Sequence, residues 1–112
     1  MWLLKYSEVG QYDYWFELIV RDTAAYTINQ GNYIMRPTEH GRLSVLQMAQ
    51  LRNLLAGIKK SASYPPPAEA DGFQCTLDIN LPDRKLTLDW WHQPPAEAAP
   101  LSALHRYLKQ LP

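Results

Sequence analysis

Cysteine is nearly absent: Cys75 stands alone in 112 residues. A single thiol cannot close an intrachain disulfide, so nothing in the chain demands an oxidising compartment. Excess charge of either sign is absent too, because eleven basic residues meet eleven acidic ones. That balance excludes the electrostatic footprint expected of a protein drawn to nucleic acid or to an anionic membrane surface. Glycine is scarce and scattered, with five in all, and no pair matches a phosphate-binding loop or a dinucleotide fingerprint. No apolar run approaches the length of a membrane span. The start, Met-Trp-Leu-Leu-Lys-Tyr-Ser-Glu, lacks the basic head and long apolar stretch of a signal peptide. The expectation is a cytoplasmic protein with neither a nucleic-acid nor a membrane partner.

What is present is globular. Apolar residues make up 46% and charged residues 20%, and a chain of this size suits one domain, residues 1–112, with one core. Phe73, Cys75, Leu77, Ile79 and Leu81 alternate with Gln74, Thr76, Asp78 and Asn80. Leu86, Leu88 and Trp90 alternate with Lys85, Thr87 and Asp89. A period of two marks strands with one buried face. Pro82-Asp83 between them suits the centre of a turn. A hairpin follows in which Ile79 faces Leu86, Leu77 faces Leu88 and Cys75 faces Trp90. A slip of one residue would put these partners on opposite faces.

Elsewhere, Trp2, Leu4 and Tyr6 suggest a first strand, Glu8 to Asp13 a turn, and Tyr14 to Arg21 a second strand. Ala25 to Ile28 and Tyr33 to Arg36 read as short extended pieces around the turn cluster Asn29-Gln30-Gly31-Asn32. Pro37 is expected to end that sheet segment. Leu43 to Lys60 is the strongest helix. Ser44 and Gln47 form a capping box, Leu43 and Met48 are spaced for a hydrophobic staple, and Val45, Met48, Leu51, Leu55 and Ile58 share one face. Lys59 and Lys60 suit its negative end. Residues 61 to 72, with Pro65, Pro66 and Pro67, read as a stiff exposed loop. Pro100 opens a last helix whose Leu101, Leu104, Leu108 and Leu111 line one side. The fold class is α+β: a mainly antiparallel sheet of four or five strands with two helices packed on one face, in the order β-β-(β-β)-α-β-β-α.

Chemistry is hard to find in this pattern. Cys75 falls on the buried face of the hairpin, where a thiol is inert, and Ser44 is spent on capping. His40, His92 and His105 lack the spacing of a zinc site on a helix, and His105 reads as a lone histidine on a polar helix side. No catalytic residue, metal ligand or cofactor is expected. Trp91 falls by parity on the polar side of the sheet, next to His92. Tyr64, Pro65, Pro66 and Pro67 could dock into an aromatic groove of another protein. Trp91, His92, Tyr64, Pro65, Pro66 and Pro67 are therefore the candidate partner-binding residues.

Three stretches carry a family resemblance: "RLSVLQMAQLRNLLAG", "DGFQCTLDINLPDRKLTLDW" and "PPAEAAPLSALHRYL". In layout, a capped helix, a D-x-F strand leading into a polar hairpin turn, and a helix after prolines, residues 42–111 resemble the emfourin family of small bacterial inhibitors of thermolysin-like metallopeptidases. The resemblance implies a non-enzymatic inhibitor whose partner is another protein, a peptidase. The reading is thus a protein-binding domain of inhibitor or immunity type, a monomer or weak homodimer, acting by surface occlusion. The alternatives are a structural subunit of an oligomer or larger complex, and a small ligand-binding protein or hydrolase with an unrecognised site.

Overall fold

The structure is a computed structural model, and it describes residues 2–10, 14–32, 34–65, 72–92, 94 and 98–111. The strands are β1 (Trp2–Val9), β2 (Trp15–Arg21), β3 (Ala25–Asn32), β4 (Ile34–Met35), β5 (Glu39–Arg42), β6 (Ala62–Ser63), β7 (Gln74–Asn80) and β8 (Lys85–Trp91). The helices are α1 (Val45–Ala56), between β5 and β6, and α2 (Ala99–Gln110), after β8. The α+β class holds. The sheet has eight strands among the described residues, not four or five, and runs β4-β3-β2-β1-β7-β8-β6 with β5 also on β3. All pairs are antiparallel except β6 with β8.

The hairpin register is the expected one. Cys75 lies opposite Trp90, Leu77 opposite Leu88 and Ile79 opposite Leu86, and all six are buried. Leu81 and Arg84 exchange backbone hydrogen bonds around Pro82-Asp83. β1 lies between β2 and β7, so the first strand is central to the sheet. It is longer than the sequence suggested. Glu8 and Val9 belong to it rather than to a turn, while positions 11–13 of the expected turn lie outside the described residues. A register shift between Trp2 and Leu4 lets Leu3 and Leu4 both be buried.

Asn29-Gln30-Gly31-Asn32 is strand, not turn. Tertiary pairing overrides local preference here: β2 holds Asn29 opposite Glu17, whose carboxylate accepts from Asn29 Nδ2 at 3.3 Å, and Gly31 opposite Trp15. Pro37 interrupts the edge without ending it. β4 and β5 lie before and after it, both on β3. Gly41 of β5 sits against the Tyr26 ring, 2.3 Å from where a Cβ would stand, so only glycine permits that approach. β6 lies in the stretch expected to be all loop, because its neighbours borrow the free edge of β8. Tyr64 N–H donates to Asp89 O at 2.9 Å, and Ser61 Oγ accepts from Thr87 N–H at 3.0 Å.

Both helices lie over one face of the sheet. Leu101, Leu104 and Leu108 of α2 and Met48, Leu51 and Leu55 of α1 join Leu4, Leu18, Leu77 and Leu88 in one core. The capping box forms as expected: Ser44 Oγ accepts from Gln47 N–H at 3.0 Å, and Ser44 N–H donates to Gln47 Oε1 at 2.8 Å. Two features of α1 differ from expectation. Val45 is 90% exposed, off the apolar face, as is its neighbour Leu46 at 67%. The helix also stops at Ala56, capped by Gly57, so Lys59 and Lys60 lie beyond its last turn. Tyr107 of α2 donates to the Gln47 carbonyl at 3.1 Å, tying the helices together.

Candidate functional site

The candidate partner-binding residues do not form one surface. Trp91 ends β8 on the sheet face opposite buried Trp90, and it is half-buried. His92 follows it, exposed, with φ 62 and its ring 5.7 Å from Phe73. Tyr64 instead packs against the core on the helix side, beside Ala62, and Pro65 is exposed. Pro66 and Pro67 lie outside the described residues. The sheet separates Tyr64 from Trp91.

Strand register gives Trp91 other neighbours. Trp15 pairs with Val9, Val9 with Gln74, and Gln74 with Trp91. The four stand in one row on the face that the helices leave open. Neighbouring strands lie about 4.8 Å apart, so the row is about 14 Å long. Half-buried tryptophans stand at the two ends of the row, with Val9, which is 56% exposed, and Gln74 between them. The next row on that face, Glu17, Ser7, Thr76 and Asp89, is wholly polar. The row with the two tryptophans is therefore bordered by a polar one.

The second constellation lies on the inner face and joins residues far apart in the sequence. The inward parity of β1, through Leu4 and Tyr6, continues to Glu8, which is 1% exposed. A carboxylate there needs donors. The Tyr6 hydroxyl donates to Glu8 Oε2. Tyr14 Oη donates to Oε1 at 3.0 Å, and Lys109 Nζ reaches Oε2 at 2.8 Å and Oε1 at 3.1 Å. The Tyr6 oxygen also lies 3.1 Å from His105 Nε2 and 3.6 Å from Cys75 Sγ. Its ring stacks on Trp90 with centroids 6.0 Å apart, and His105 meets Trp90 edge-on at 5.4 Å. His105 is thus half-buried among aromatics, not alone on a polar side.

Burial sets the charge states, with the ion pair as the exception. It pushes the Tyr6 hydroxyl far above its usual range, reinforced by Glu8. Tyr14 is pushed up to about 12 by burial and then by the Glu8 charge. Burial pushes the Cys75 thiol up and the His105 imidazole down, so both are neutral near pH 7. For Glu8, burial alone would raise the carboxyl. The hydrogen bonds from Lys109, Tyr6 and Tyr14 and the ammonium charge outweigh it and hold the group below its usual value. Beside this cluster, Pro94, Ser102, His105, Arg106 and Lys109 line an open cleft of about 480 Å³.

The donor atoms of Glu8, Cys75 and His105 lie within 4.8 Å of one another. Sequence reasoning missed this cluster because its members come from β1, β7 and α2. The available signals were the inward parity of Glu8 and the four-residue spacing of His105 and Lys109 on α2. Comparison with protein-family models finds no match, and comparison with curated proteins likewise finds none.

Proposed function

We propose that this chain is a non-enzymatic protein-binding domain, most concretely an inhibitor or immunity-type protein that occludes a partner's surface. The supporting observation is the row Trp15, Val9, Gln74 and Trp91 on the sheet face without helices. Tyr and Trp supply large contact area at low ordering cost and are favoured at interface centres. A row fixed by strand pairing loses little freedom on docking. The polar row beside it makes a natural rim. The layout of residues 42–111 resembles emfourins, so the partner class is a thermolysin-like metallopeptidase.

The test is inhibition of a thermolysin-like metallopeptidase by the wild-type chain, Val9→Asp and Trp91→Ala. Wild type should inhibit, and each variant should weaken inhibition by more than about tenfold, or 1.4 kcal/mol, with little change in melting temperature. Absence of inhibition by wild type would sink the inhibitor reading. Size-exclusion at two concentrations then separates the alternatives: dimerisation abolished by Val9→Asp would make the row a self-assembly face.

A further inference from the structure

We propose that Tyr6, Glu8, Cys75 and His105 form a closed four-donor site for a divalent cation of the zinc class, structural rather than catalytic. The donor set is one sulfur, one imidazole nitrogen and two oxygens, which suits Zn²⁺ better than the all-oxygen shells of Ca²⁺ or Mg²⁺. Tetrahedral zinc with ordinary bond lengths would set nitrogen and oxygen ligands about 3.3 Å apart, and sulfur and oxygen ligands about 3.5 Å apart. The Tyr6 oxygen lies 3.1 Å from His105 Nε2 and 3.6 Å from Cys75 Sγ. Two of its three ligand separations are therefore already those of such a tetrahedron; the third, to Glu8 Oε2, is now spanned by the Tyr6 hydrogen bond and must open when the phenol proton leaves. The donors of Glu8, Cys75 and His105 lie within 4.8 Å of one another. Closing them onto an ion takes movements of about 1 Å, within reach of side-chain torsions.

Charge balance supports the site. Binding releases the Cys75 thiol proton and the Tyr6 hydroxyl proton to solvent, and His105 ligates through Nε2 as the neutral imidazole with its proton on Nδ1. The two positive charges of the ion and the Lys109 ammonium then match the three negative charges of Glu8, Cys75 and Tyr6. Neutrality matters because Tyr6 and Cys75 are fully buried and Glu8 almost so. Lys109, 2.8 Å from Glu8, stays as an outer partner of a ligating carboxylate. The cleft lined by His105 and Lys109 supplies an entry path.

The test titrates the full chain, stripped with a chelator, with Co²⁺ and then Zn²⁺. The expected result is one Co²⁺ per chain, with tetrahedral d–d absorption and a thiolate-to-cobalt charge-transfer band, both removed by Zn²⁺. Cys75→Ser should abolish the charge-transfer band. Tyr6→Phe, which keeps the stacked ring, should weaken binding by at least about tenfold, the lower end of what even an outer-shell group contributes. No charge-transfer band, or binding by Tyr6→Phe that is unchanged or tighter, would overturn the proposal. If Cys75→Ser fails to fold, the decisive reading is melting temperature. Zn²⁺ should raise that of wild type and raise that of Tyr6→Phe less, and equal shifts would overturn the proposal.

Discussion

Replacing Lys109 by Met removes the ammonium that meets Glu8. The packed part of the side chain is kept, since Met has similar length and no charge. The Lys109 side chain is 47% exposed and the Glu8 side chain 2%, so solvent screening takes part of the pair's value, while the carboxylate itself cannot reach water. Removing one partner of a fully buried pair costs about 3–5 kcal/mol. Two facts lower that figure here. Tyr6 and Tyr14 still donate to the carboxylate. Glu8 can also escape by taking up a proton, which at pH 7 costs at most about 3–4 kcal/mol for a group with an ordinary carboxyl value. The expected loss is therefore about 2 kcal/mol at pH 7. Urea denaturation from pH 7 down to pH 3 measures it. In the wild type Glu8 is held below its usual value, so its contribution is full above the unfolded carboxyl value and fades as pH falls through the folded one. The variant lacks much of that contribution, so the gap between the two proteins should be widest near neutrality and close on acidification. Adding Glu8→Gln should cost the variant less than it costs the wild type. A gap below about 0.5 kcal/mol at pH 7, or one that does not change with pH, would refute the claim that Lys109 holds the buried carboxylate.

Other outcomes follow from the core and the cap. Leu88→Ala should cost about 2–5 kcal/mol in chemical denaturation, because Leu88 is buried opposite Leu77; a cost near zero would make β8 peripheral. Ser44→Ala should cost about 1 kcal/mol through the lost Gln47 N–H bond, and Ser44→Gly only a few tenths. Native Cys75 should react with a thiol reagent only as fast as the protein opens, since the thiol is buried and held protonated. Rapid labelling at neutral pH would contradict that burial.

The hairpin was legible because its information is local: alternation fixes the faces and Pro82-Asp83 fixes the register. The Ser44–Gln47 box was legible for the same reason, three residues apart on one turn. Where distant chain decides, local reading failed. Asn29 to Asn32 look like a turn in isolation and become strand because β2 supplies a ladder. β6 exists because β8 offers a free edge. Val45 follows the apolar spacing of α1 but, as its first residue, faces solvent. The inner polar cluster needed the fold outright, since only the pairing of β1 with β7 and the docking of α2 bring Glu8, Cys75 and His105 together. The outer row Trp15, Val9, Gln74 and Trp91 likewise joins three separate stretches of chain.

The central place of β1 also shapes the order in which the molecule can assemble. Its pairing with β2 is local and can form early, but its other edge waits for β7, with Leu4 meeting Ile79. Loop-closure entropy must be met before that non-local ladder gains anything, so the β1–β7 closure is the natural slow step of folding. During synthesis, β1 would emerge with an open edge and with Glu8 lacking Lys109 until α2 is made. A nascent chain would meanwhile expose a strand of alternating Leu, Tyr and Glu, and the carboxylate that needs a partner in the finished core would help keep that edge solvated.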